Sequence, residues 1–155
     1  MPSESDRLHS IEFVPIEFQS ERYRQAVALR HAVLRQPLGL AFSPAQLAAE
    51  HDQLHFGMLG GNELIACVSV MLLSPSAAKI RQMTVDAALQ GRGIGSDLLC
   101  RVELELKSRG VQCIQLHARE VARRFYERLG YTASGEPFTE VTLPHIKMTK
   151  TMVTC

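Results

Sequence analysis

The chain has 155 residues, 46% of them hydrophobic, with 17 basic against 16 acidic side chains and a formal charge of +1. That length predicts one domain over 1–155, with 1–9 as a flexible extension. The near-neutral balance excludes the surplus of lysine and arginine that an unaided hold on nucleic acid or an anionic membrane requires, so any bound anion must be met locally.

The longest apolar run, Leu64 to Leu73, is about half of the ~20 residues that a membrane span needs. Met1 to His9 carries Glu4, Asp6 and Arg7 in place of an apolar signal core, which points to the cytoplasm. Cys67, Cys100, Cys113 and Cys155 show no CxxC spacing, and the first three sit in apolar stretches and read as buried thiols.

In chain order, Ile11 to Ile16 reads as a strand. A helix follows from Ser20 to Arg35, with Tyr23, Ala26, Val27, Val33 and Leu34 on one stripe and Pro37 and Gly39 closing it. Ser43, Pro44 and Gln46 spell a capping box with proline at the first helical position, which predicts a short helix to His51. His55 to Leu59 and Leu64 to Leu73 form a hairpin through Gly60-Gly61-Asn62-Glu63. After a turn at Pro75, Lys79 to Val85 is a strand with Ile80, Gln82 and Thr84 on one face and Arg81, Met83 and Val85 on the other.

Ile94, Leu98, Val102 and Leu106, flanked by Leu99 and Leu104, then predict a long helix capped by Gly110. Val111 to Leu116 is a strand, Val121 to Leu129 a helix stopped by Gly130, and further strands fall around Tyr131 to Ala133 and Ile146 to Met152. Pro144 favours an edge, a bulge or a break. A mixed sheet with helices on both faces accommodates this order.

Between the strand ending at Val85 and the long helix lies Gln90-Gly91-Arg92-Gly93-Ile94-Gly95-Ser96. Glycines let a backbone approach a ligand closely, and the amides at a helix start, helped by its dipole, suit phosphate oxygens. Arg92 adds a charge. Taken alone, three glycines before a helix serve either tight packing or anion binding. A nucleoside-triphosphate P-loop fails, because Ser96-Asp97 follows the last glycine where Lys and Ser or Thr are needed. The dinucleotide fingerprint fails too, with Ser96 at its third glycine.

The loop resembles the Gln/Arg-x-x-Gly-x-Gly/Ala signature of the GCN5-related N-acetyltransferases (GNAT). The resemblance extends to Ile80-Arg81-Gln82-Met83-Thr84-Val85, which looks like that family's fourth strand, to Ile114-Gln115-Leu116-His117, and to Ala122-Arg123-Arg124-Phe125-Tyr126-Glu127-Arg128-Leu129-Gly130-Tyr131, similar to the family's A-x-x-F-Y-x-x-x-G-F/Y ending. His117-Ala118-Arg119 and the segment from Glu136 to Ile146 look like a small bacterial subgroup of the family. Arg119 stands where the family often has asparagine, so that cofactor contact does not carry over.

The resemblance implies a single GNAT-like α/β domain: a twisted, mostly antiparallel mixed sheet of six to seven strands, splayed between the fourth and fifth, with about four helices. It implies acetyl-CoA as co-substrate, its pyrophosphate on Gln90, Gly91, Arg92, Gly93, Ile94, Gly95 and Ser96, and its pantetheine along Met83, Thr84 and Val85. Arg128, one turn after Arg124, is a further phosphate contact under it. The acceptor is a primary amine of a small molecule or peptide, with no nucleic acid or membrane partner, and a homodimer is compatible with it. Tyr126 stands where the family frequently has a tyrosine general acid, and packing beside Phe125 is the alternative reading.

For the base, His117, Glu140, His145, Glu50, His51 and Asp52 all qualify chemically. His117 and Glu140 are the catalytic candidates, and His145 and Asp52 are assigned to the acceptor side. A water chain is the alternative. His51 and His55 straddle a helix–strand junction, no HExxH or paired CxxC occurs, and no metal is expected. A catalytically silent acyl-CoA sensor and a nucleotide-binding domain with a degenerate loop are the competing readings.

Overall fold

The computed structural model describes residues 8 and 10–152. The expected extension, residue 8 apart, and Cys155 lie outside the described residues. The elements are β1 (Ile11–Ile16), α1 (Glu21–Arg30), α2 (Pro44–Ala48), β2 (Leu54–Gly60), β3 (Glu63–Ser74), β4 (Ala77–Val85), α3 (Ile94–Ser108), β5 (Cys113–Arg119), α4 (Arg123–Arg128), β6 (Thr132–Glu140) and β7 (Leu143–Thr151). They form a seven-stranded mixed sheet in the order β1-β2-β3-β4-β5-β7-β6. The β1–β2, β2–β3, β5–β7 and β6–β7 pairs are antiparallel. The parallel β4–β5 pairing runs from Ala77↔Cys113 to Ile80↔Leu116 and stops there, although both strands continue. This is the α/β architecture that the sequence implies.

The chain divides into two compact units, residues 1–70 with 82–103, and 71–81 with 104–155; strands β3 and β4 pass through both.

In the first unit the local signals act as read. The Ser20 side chain caps α1. The Ser43–Gln46 box is closed in both directions, at 3.1 and 2.8 Å. Helical backbone continues beyond α1, as a π-helical turn over His31–Arg35, to Gly39 at φ +70°. The β2–β3 turn needs only Gly61 at positive φ. Ile16, Tyr23, Ala26 and Cys67 form a buried cluster on which Val14, Phe18, Val27, Leu29 and Leu64 pack. Gly57 is tightly enclosed, since a Cβ there would sit 2.5 Å from Leu64 Cδ1.

Beside that cluster lies a buried polar network. Arg30 donates through Nη1 and Nη2 to Glu50 Oε1 and Oε2 at 2.8 and 2.6 Å, and the Tyr23 hydroxyl donates to Oε1 at 2.7 Å. The Glu50 carbonyl accepts from His55 Nε2, at 3.2 Å, which leaves His55 Nδ1 to accept from the Ser69 hydroxyl at 2.8 Å. Phe42 lies under the guanidinium groups of both Arg30 and Arg35. Burial would lift the Glu50 carboxyl, but Arg30 and Tyr23 outweigh it and hold the group below its ordinary value. Burial keeps His55 neutral by lowering its pKa, and pushes Tyr23 up to about 12.

In α3 the stripe of Ile94, Leu98, Leu99, Val102 and Leu106 is buried as expected. One reading on that helix is corrected. Cys100 is exposed rather than buried, and Leu104 beside the stripe is 68% exposed, because neither falls in the stripe's phase. Cys113 is half-buried, and Cys67 is the buried thiol, pushed up to about 12 by desolvation.

The second unit holds the largest departures from the sequence reading. The strand predicted over Val111 to Leu116 starts at Cys113 and runs to Arg119. The tail is a long β6–β7 hairpin rather than two short strands. Its turn, Val141-Thr142, takes φ +49° and +64° on two β-branched residues, so no turn signal was there to read. Pro144 pairs with Thr139 of β6 and lies past the last β5–β7 partner, Arg119↔His145, where its missing N–H costs the ladder nothing.

Arg30→Met should lower the unfolding free energy by about 3–5 kcal/mol by leaving Glu50 buried without its cation, and adding Glu50→Leu should restore most of the loss in urea unfolding. Because His55 and Glu50 titrate below their ordinary values, their stabilisation is complete above 6.5 and 4.5 respectively and is lost as the pH falls through the folded values. A urea midpoint that stays level from about pH 7 to 4 would contradict this linkage.

Candidate functional site

In the first unit, β4 leads into the glycine loop through a turn that Asp86 organises. Its side chain accepts from the Ala88 amide at 3.0 Å, its amide donates to the Ile65 carbonyl at 2.8 Å, and Leu89 beyond it is fully buried. The Gln90 side chain donates back to the Val85 carbonyl at 3.1 Å. The loop is thus fixed at its start, and Ile94, 4% exposed, anchors its end.

Between these anchors Gly91 and Gly93 take φ +79° and +80°, a region that L side chains avoid, and a Cβ on either would meet nothing within 4 Å. That open space is what close approach of a ligand to the backbone requires. Asp97 donates its amide to the Gly93 carbonyl at 3.0 Å. The amides of Ile94, Gly95 and Ser96 precede that first bond of α3 and by geometry have no acceptor in their own helix. Gly95 lies inside the first turn of α3. A diphosphate fits this start, and Arg92, exposed on the loop, is of the right sign.

Within β4, Gln82 takes φ +57°, and the Thr84 hydroxyl donates to its carbonyl at 2.9 Å. The alternation read over Lys79 to Val85 is therefore interrupted. Thr84 is buried, while Met83 and Val85 are half-buried.

In the second unit, Tyr126 sits on α4, 8% exposed, with Phe125 at 4.9 Å and Tyr131 at 5.8 Å between ring centroids. Burial pushes its phenol up to about 12, so it holds its proton throughout the neutral range. Lys150 closes the end of α4 by donating to the Leu129 carbonyl at 2.8 Å beside Gly130, at φ +95°. Arg128 is exposed in the last turn, and Arg123 pairs with Glu127 at 3.7 Å.

The same unit brings His117, Glu140 and His145 together, although 23 residues separate the first two. His117 Nδ1 lies 3.0 Å from Glu140 Oε1, and His145 Nε2 lies 3.8 Å from Oε2. Phe138 meets both rings, edge-on to His117 at 4.9 Å and stacked on His145 at 6.1 Å. Burial would raise the Glu140 carboxyl, but the His117 hydrogen bond and the charges of His117, His145 and Lys79 hold it below its ordinary value. His117 keeps a quarter of its side-chain surface, whereas His145 keeps 6% and has its Nδ1 2.9 Å from the Leu143 carbonyl. His145 is therefore poorly placed to touch an acceptor itself.

Other candidates separate from this group. Glu50 is buried and receives three hydrogen bonds from Arg30 and Tyr23, which place it in a structural network. His51 and Asp52 are exposed on a 3₁₀ turn. Among the described residues no group of three or more His, Cys, Asp or Glu could hold a metal ion, and no helix is long and apolar enough to cross a membrane. Sequence reasoning missed Arg30 and Lys79. Arg30 could have been found from helical phase, since it continues the Tyr23–Ala26 stripe.

Comparison with known proteins defines the class. The family model of the acetyltransferase (GNAT) domain matches residues 39–152, and the chain belongs to that family. The uncharacterised N-acetyltransferase YitI of Bacillus subtilis is 26% identical over 90% of this chain and 98% of its own. Two other curated Bacillus subtilis relatives match over only 49% of their own length, so the chain spans about half of them. Escherichia coli ElaA superposes with a TM-score of 0.79 at 20% identity, covering 91% of this chain and 99% of that one. A GNAT family acetyltransferase from Elizabethkingia anophelis with acetyl-CoA bound gives 0.72 at 17%, covering 92% and 98%.

In an alkaline titration followed by tyrosinate absorbance, Tyr23 and Tyr126 should remain protonated past 10 and ionise near 12. The stability they contribute is complete below 10 and is lost as the pH rises through 12. Tyr126→Phe should remove one late ionisation; if all three tyrosines of the chain ionised together near 10, the buried phenols would be misassigned.

Proposed function

We propose that this protein transfers an acetyl group from acetyl-CoA directly to a primary amine of a small molecule or peptide. The observation that carries the reading is the glycine loop, open where side chains would stand and continuous with the first α3 amides, which have no acceptor in their own helix. The bound acetyl-CoA of the Elizabethkingia anophelis relative supports it. Acetyl-CoA supplies an acyl group already activated as a thioester.

The residues divide the remaining work. The amides of Gly91 to Ser96 hold the diphosphate, with the side chains of Gln90, Arg92 and Arg128 adding polar and charged contacts. The main chain of Met83, Thr84 and Val85 pairs with the pantetheine amides as one strand pairs with another. Tyr126, neutral at working pH, donates the proton that the departing sulfur needs.

His117 removes the ammonium proton of the acceptor. Ionised Glu140 can only accept, so it fixes the His117 proton on Nδ1 and leaves the Nε2 lone pair for the amine. Asp52 is kept as an acceptor contact. A cytoplasmic setting goes with this reading.

Gly93→Glu should weaken CoA binding at least tenfold, or about 1.4 kcal/mol, in a chain whose circular dichroism is unchanged. Gly93→Asn tolerates the left-handed backbone and separates strain from charge, so it should bind better than the glutamate variant. Unchanged affinity in folded Gly93→Glu would remove the loop from the cofactor site.

Tyr126→Phe should lower kcat at least about 100-fold with little change in CoA affinity. Equal turnover would assign Tyr126 to packing. CoA binding without thiol release on any amine of a broad panel would return the acyl-CoA sensor reading.

A further inference from the structure

One carboxylate faces two imidazoles in the second unit, and the hydrogen bonds fix which nitrogen of each can titrate. His145 Nδ1 faces the Leu143 carbonyl at 2.9 Å, which can only accept, so that nitrogen carries a proton in either charge state. Nε2 is then its titrating atom, and it points at Glu140 Oε2 from 3.8 Å. His117 is arranged likewise: Nδ1–H donates to Oε1 at 3.0 Å and Nε2 titrates.

The two rings therefore compete for one negative charge. Among the described residues, the further charges that act on Glu140 and Lys79 are cationic: Lys79 on Glu140, and Lys147 and Arg81 on Lys79; Arg119 stands opposite His145 in the β5–β7 register. None of them stabilises a second imidazolium. Protonation of either ring must oppose protonation of the other.

We propose that His145 is a positioning residue for His117: by taking up the second oxygen of Glu140 when protonated, it sets the pH below which His117 ceases to act as a base. The proposal rests on the reading of His117 as that base. Protonated His145 draws on the Glu140 charge and lowers the His117 midpoint; neutral His145 releases that charge to His117.

Imidazole NMR on the folded chain tests the coupling without recourse to activity. The neutral rings of His117 and His145 should both be Nδ1–H tautomers. His145→Gln removes the competing cation and should raise the His117 midpoint, while Glu140→Gln removes the shared anion and should lower it. Glu140 is 42% exposed on its side chain, so its variant keeps the test open should His145→Gln fail to fold.

An Nε2–H tautomer at His117, or an unmoved midpoint in either folded variant, overturns the proposal. In the acetyltransferase assay, the acid limb of kcat/KM should follow the NMR midpoint upward in His145→Gln and downward in Glu140→Gln. Midpoints that move while the limb stays still would overturn the base assignment and leave the coupling of the two rings intact.

Discussion

The first amides of an α-helix have no acceptor within their own helix, and a protein must leave them to solvent, cap them or give them to a ligand. At the head of α3 the sequence does not supply a Ser, Thr, Asp or Asn cap; it supplies Gly93, preceded by Gly91, both in left-handed backbone with empty space beside them. A capping side chain there would satisfy an amide and block the approach. The neighbouring residues are rigidly placed for the same end: Leu89 and Ile94 are buried on either side, and Asp86 closes the turn before them. A chain of net charge +1 has oriented dipoles rather than a long-range field to offer an anion.

Two glutamates show how surroundings decide what a carboxylate is for. Glu50 is 2% exposed and receives donors from Arg30 and Tyr23, so its oxygens are committed and its role is to hold α1 to the chain before β2. Glu140 is 42% exposed on its side chain, has a histidine at each oxygen and keeps a route to solvent. Both are held below the ordinary carboxylate value, yet one chiefly by a guanidinium and the other chiefly by a hydrogen bond from an imidazole.

What the sequence disclosed follows the range of the forces involved. The Ser43–Gln46 box, the Gly61 turn, the α3 stripe and the glycine loop are local: a few adjacent residues set the backbone, and each appears where it was read. The long β6 strand was not legible, because Val141-Thr142 is a turn without turn residues and the strand itself is polar. The left-handed Gln82 inside β4 has no sequence signature either. His117 and Glu140 were named for their chemistry, but their contact needs β5, β7 and β6 to lie side by side, and nothing in residue spacing reports that register. Cys100 shows the opposite failure, where apolar neighbours suggested burial and helical phase decided otherwise.

The β6–β7 turn is strained. Valine and threonine each stand there in a conformation that costs a β-branched residue about 1–2 kcal/mol, directly between Glu140 and Leu143. Asparagine and glycine would close the same hairpin with less tension. The molecule thus accepts a weaker fastening at the end of the strand that carries Glu140, and hairpin stability is given up next to the carboxylate that His117 and His145 both face.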